Sequence, residues 1–181
     1  MRRFPHWTTL LALLTCLTLS ATSYAAKKET PAPHVRTYTV LVGMENRLLG
    51  IGINAYFPGC VTIHVGDTVR WQQNSNEIHT VTFLAGTTAG ALIIPATEAG
   101  APSPLLFNPV AVNPAVPADG LYDGTTYANS GLMGREEGQV QEFSLTFTKE
   151  GTYDYLCLVH GSMMSARSLV FLTESFSRSF W

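Results

Sequence analysis

Apolar and polar residues alternate along this chain from Thr37 onward, and a period of two is the mark of half-buried strands. The segment "TYTVLV" is β-branched and aromatic and predicts an opening strand. In "VTIHVGDTVRW", Val61, Ile63 and Val65 share one face while Thr62 and His64 share the other. Gly66-Asp67 then marks a tight turn, after which Val69 and Trp71 resume the apolar face, so the stretch predicts a hairpin. "NEIHTVTF" places His79, Val81 and Phe83 on one side. "EFSLTFTKEGTYDYLC" predicts a second hairpin, with Phe143, Leu145 and Phe147 inward on the first arm and Tyr153, Tyr155 and Cys157 inward on the second. "ARSLVFLT" predicts a closing strand.

Between Phe83 and Gln141 the alternation gives way to Gly, Ala, Pro, Thr and Asn, with short apolar pieces such as "ALIIP" and "PLLFNPVAV". This long connection covers a sheet edge or binds a partner. No segment has an amphipathic helical period. Several short strands separated by turn signals predict an all-β sandwich or barrel.

Residues 1–25 have the form of an export signal: basic Arg2-Arg3, an apolar run from Leu10 to Leu19, and a small-x-small cleavage site at Ser23-Tyr24-Ala25. The run is short for a bilayer span, so no stable membrane insertion is expected once it is removed, and the mature chain is expected in the periplasm or secreted. Residues 26–36 read as a flexible lead-in and 174–181 as an aromatic tail. Removing the signal leaves nine basic against 13 acidic residues, a formal charge of −4. No basic patch or charge run is present, which argues against nucleic acid as a partner.

Two cysteines, Cys60 and Cys157, survive signal removal, and in an oxidising compartment a bridge between them is the ordinary use. The segment "YDYLCLVHGSMM" offers another, because Cys157, His160 and Met163 lie three residues apart. His79 occupies a core-facing position where an imidazole is costly unless something satisfies it; an inward histidine is more often a hydrogen-bonded core residue than a ligand. If its strand lies beside that of Cys157, however, two imidazoles, a thiolate and a thioether converge. That set is the trigonal His₂Cys arrangement with a long axial Met of blue-copper electron-transfer sites. Zinc would accept the Cys and His but has no use for the Met. A bridge to Cys60 would consume the thiolate. A carboxylate ligand from Glu77, close to His79, is a further alternative.

"YFPGCVTIHVGDTVRWQQNSNEIHTVTF" followed by "GTYDYLCLVHGSMM" resembles the plastocyanin-like cupredoxins. The matching pieces are the Phe-Pro before a strand, Gly-Asp-Thr-Val, the His-x-Val-x-Phe strand and the Gly-x-Tyr-x-Tyr-x-Cys-x-x-His loop. The spacing Cys157-x-x-His160-x-x-Met163 is that of amicyanin. The resemblance covers residues 37–173 and implies a Greek-key β-sandwich with a long connection before the last hairpin. It also implies one copper ion, held by His79, Cys157, His160 and Met163. The implied function is one-electron transfer by a monomer between redox partner proteins, without enzymatic activity. Periplasmic copper carriage or storage is the alternative. Thr80 stands where many plastocyanins have Asn, so a hydroxyl or another group must brace the ligand loop. A multicopper oxidase would need His-x-His pairs, which this chain lacks, and a copper-zinc dismutase would need more histidines.

Overall fold

The computed structural model describes residues 35–97 and 103–172; the expected signal, most of the lead-in and the aromatic tail lie outside them. The strands are β1 (Thr37–Asn46), β2 (Ile51–Phe57), β3 (Cys60–His64), β4 (Thr68–Gln73), β5 (Thr82–Phe83), β6 (Ile93–Pro95), β7 (Leu105–Phe107), β8 (Leu121–Tyr122), β9 (Ala128–Asn129), β10 (Glu142–Phe147), β11 (Gly151–Cys157) and β12 (Gly161–Phe171). Two five-stranded sheets make a β-sandwich, in the orders β2-β1-β4-β10-β8 and β3-β12-β11-β5-β9. β6 and β7 pair only with each other. Among the described residues of the long connection, a short α-helix, α1 (Pro109–Val112), is capped by the Asn108 side chain, and a single 3-10 turn follows at Ala118–Gly120.

The predicted inward faces are the observed ones. Val61 and Ile63 of β3, Val69 and Trp71 of β4, and Phe143, Leu145 and Phe147 of β10 are all buried. Trp71, Phe83 and Tyr155 stack against one another at ring separations of 5.1–5.6 Å, so aromatic area from both sheets fills the gap between them. The neighbours differ from expectation. β3 pairs with β12 and not with β4, and β10 pairs with β4 and β8 and not with β11. Both predicted hairpins are therefore corners that carry the chain from one sheet to the other. Alternation reports which face of a strand is apolar, and both arms of such a corner face the same core. At the first corner the buried Asp67 carboxylate accepts from the backbone N–H groups of His64 and Arg36, at 2.9 and 2.8 Å.

β2, paired with β1, is an additional strand. β12 begins at Gly161, five residues before the predicted closing strand. The long connection carries α1 and β6–β9 and adds an edge strand to each sheet, β8 to one and β9 to the other.

Candidate metal centre

β4 ends at Gln73, whose side-chain amide donates to the carbonyls of Ser75 (2.9 Å) and Glu77 (2.7 Å) and so folds the turn that delivers His79. The His79 backbone exchanges hydrogen bonds with Met133, N–H to carbonyl at 3.0 Å and the reverse at 2.8 Å. Its side chain is fully buried, with Nε2 against Ser75 Oγ at 2.9 Å. That bond accounts for Nε2 and leaves Nδ1 on the side of Cys157. Gly43, at φ +72°, lets the β1 backbone pass this pair. A Cβ there would lie 2.3 Å from Ser75 Oγ and 2.7 Å from His79 Nε2, closer than atoms can approach.

Cys157 closes β11 with its sulfur fully buried. Sγ accepts the Thr80 N–H at 3.3 Å and lies 3.4 Å from His160 Nδ1 and 4.0 Å from His79 Nδ1. A tight turn over 158–160 returns the chain to β12, aided by Gly161 at φ +62°. The Leu158 N–H donates to Thr80 Oγ1 at 2.8 Å, so a hydroxyl braces the ligand loop at the position where many plastocyanins have Asn. The two imidazole rings are 4.9 Å apart. The ligand atoms of His79, Cys157 and His160 all lie within 4.8 Å of one another. Burial, and then the charge of His160, push the His79 imidazole down to about 4 from its ordinary 6.5, so it is neutral and ready to coordinate at neutral pH.

This donor set suits copper. Thiolate favours Cu(I), imidazole serves both oxidation states, and a bound cation would offset the cost of a buried thiolate. Cys157 and Cys60 are both free thiols, so the bridge does not form; Cys60 is exposed at the start of β3. Glu77 is solvent-exposed and donates no carboxylate to the cluster, and His64 faces solvent as expected.

Met163, the fourth ligand expected from the loop spacing, stands apart from the cluster in this structure. It is 88% exposed, whereas Met164 is 1% exposed and belongs to the core. The cause is the early start of β12, because strand alternation rather than turn spacing then sets which methionine points in. Counting back from buried Val170 and Ser168 through Ala166 reaches Met164, while Met163 falls on the outer row. Leu156 pairs with Ser165, and the register then shifts, so that Cys157 pairs with Gly161 across a bulge that takes in residues 162–164. That count was available in the sequence. Ser75 and Gly43 carry no comparable signal, because their roles arise only where β1 meets the turn before His79.

The chain from 48 to 170 matches the family model described as copper binding proteins of the plastocyanin/azurin family. Among solved structures it is similar to a Cu(I) amicyanin variant (22% identity, 75% of this chain and 82% of that one, TM-score 0.42). It is also similar to a mutant fern plastocyanin (20% identity, 74% and 100%, TM-score 0.44). With TM-scores below 0.5, these likenesses carry no weight beyond the family match. No curated protein matches the sequence. The family match covers strands of both sheets and every member of the His-Cys-His cluster, and the chain belongs to the plastocyanin/azurin family of copper binding proteins.

Proposed function

We propose that this chain is an exported one-electron carrier whose copper is held by His79 Nδ1, Cys157 Sγ and His160 Nδ1, with a loop thioether as the weak fourth donor, Met163 by its spacing from His160 or Met164 by its burial. The observation that carries the reading is the convergence of two imidazoles and one thiol at a buried end of the sandwich. Copper bound there would supply a Cu(I)/Cu(II) couple. The residues do the rest. Ser75 and Met133 hold His79, the Thr80 N–H steadies the sulfur, and the turn holds His160, so little rearranges between oxidation states. His160, half-buried, is the imidazole on the solvent side and the exit for the electron. In this reading residues 1–25 are removed on export, 37–173 form the working domain of a periplasmic or secreted monomer, and the partners are redox proteins rather than a substrate.

Titration of the purified protein with Cu(II) tests the assignment. An intense visible thiolate-to-copper band is expected in the natural chain and in Cys60→Ser, and none in Cys157→Ser. A colourless natural protein, or colour that survives Cys157→Ser, overturns it. One observation favours a second reading, copper carriage: Met163 stands exposed just beyond His160 and offers a thioether for handover. Rapid loss of copper to a Cu(I) chelator in the natural chain, slowed in Met163→Leu, would support carriage over the shuttle.

A further inference from the structure

The ligand loop is tied to the long connection by a buried relay of side chains. The Leu158 N–H donates to Thr80 Oγ1 at 2.8 Å, and Thr80 Oγ1 lies 3.0 Å from Thr82 Oγ1. The Thr82 hydroxyl donates to Asn129 Oδ1 at 2.9 Å. The Asn129 amide in turn donates to the carbonyls of Ala111 (2.9 Å), Asn113 (3.1 Å) and Val110 (3.3 Å) at the end of α1. Thr80, Thr82 and Asn129 are all fully buried.

Only one direction satisfies every group. The single hydrogen of Thr82 is committed to Asn129, so Thr82 accepts from Thr80, and Thr80 in turn accepts from Leu158. Each hydroxyl gives one bond and takes one, and in a dry interior such a chain is stiffer than its separate links. Its far end is anchored. Asn129 exchanges backbone hydrogen bonds with Ala115 at 2.8 and 2.9 Å and pairs with Thr82 across β9 and β5. Its near end bears on the site twice, because Thr80 also gives its own N–H to Cys157 Sγ. The same stretch of connection grips the His79 segment through Ser130, which bonds to Val81, and through Met133.

We propose that the long connection is a positioning brace for the ligand turn, with Asn129 as the hub and Thr82 as the link. The inference rests on the copper site proposed above. Asn129 and Thr82 touch no ligand atom. They act through Thr80, which fixes the Leu158 amide and therefore the backbone on which Cys157 sits.

The test is amide exchange in the copper-free protein, read at Leu158 relative to Val69 on the opposite sheet. Thr82→Val keeps the shape and removes the hydroxyl; Thr82→Ser keeps the hydroxyl. The ratio should rise roughly fivefold to tenfold in Thr82→Val, the effect of losing one buried hydrogen bond, and return in Thr82→Ser. With copper bound, the reduction potential should move in Thr82→Val and be restored in Thr82→Ser. Asn129→Ala breaks the relay at its other link and should raise the same ratio if Thr82→Val does not fold. An unchanged ratio in either folded variant, or failure of Thr82→Ser to restore it, overturns the brace. Failure of the natural protein to take up copper would instead overturn the ligand assignment, and the exchange ratio would still decide the relay.

Discussion

His79 and His160 face the same thiol from two regions built on different terms. The His79 segment is buried on both faces, bonded through its backbone to Met133 and through its ring to Ser75, and passed by a glycine with no room for a methyl group. His160 sits half-buried on a three-residue turn at the rim, and among the described residues its one hydrogen-bond contact is Cys157 Sγ. One imidazole is part of the scaffold and the other is presented by a loop. Position at the centre is thus set by the scaffold side, and access by the turn.

Replacing each ring with a methyl group in the copper-free protein gives the widest separation. His79→Ala leaves a cavity and strips Ser75 of its partner, at a cost of roughly 3–4 kcal/mol. His160→Ala removes a rim side chain and should cost less than about 1 kcal/mol. Denaturant unfolding of the two variants measures both, and equal losses would erase the contrast.

Acid probes the same difference without mutation. The native His79 imidazole titrates at about 4 and the unfolded one at 6.5, so between those values the unfolded chain binds a proton that the native chain refuses. Stability of the copper-free protein should therefore be complete above pH 6.5 and fall as pH drops toward 4, by on the order of 3 kcal/mol in all. A denaturant midpoint that holds steady over that window would show that His79 is not the buried neutral group described. Gly43→Ala attacks the scaffold side through its left-handed backbone and the collision with Ser75 and His79; roughly 2 kcal/mol is expected, with weakened copper binding.

The smallest effects separate the methionines. Met164→Leu conserves volume and should cost less than roughly 1.5 kcal/mol, yet raise the reduction potential, because losing a thioether from the centre favours Cu(I). Met163→Leu, on the exposed row, should change stability by no more than about 0.5 kcal/mol and leave the potential where it was. Electrochemistry of the two variants decides the axial ligand, and a shift confined to Met163→Leu would restore the loop spacing.

The inward faces and the His79, Cys157 and His160 positions are legible in the sequence because each depends on local alternation or a short motif. Which strand lies beside which is not, since an arm of a corner and an arm of a hairpin alternate alike. Spacing from His160 points to Met163, while the strand that begins at Gly161 imposes a period of its own that buries Met164. Asn129 could not be found by any local rule. Its value lies in partners at Thr82 and at the end of α1, which only the folded connection brings to it.

The ladder between β3 and β12 joins Cys60 to Arg167 and His64 to Phe171, and among the described residues β12 is the only strand beside β3. β3 thus waits, unpaired and apolar on one face, until the end of the domain has been made. An N-terminal fragment of this chain would display an open strand edge of the kind that invites aggregation. The β3–β12 ladder is therefore a distant pairing, of the kind that forms slowly.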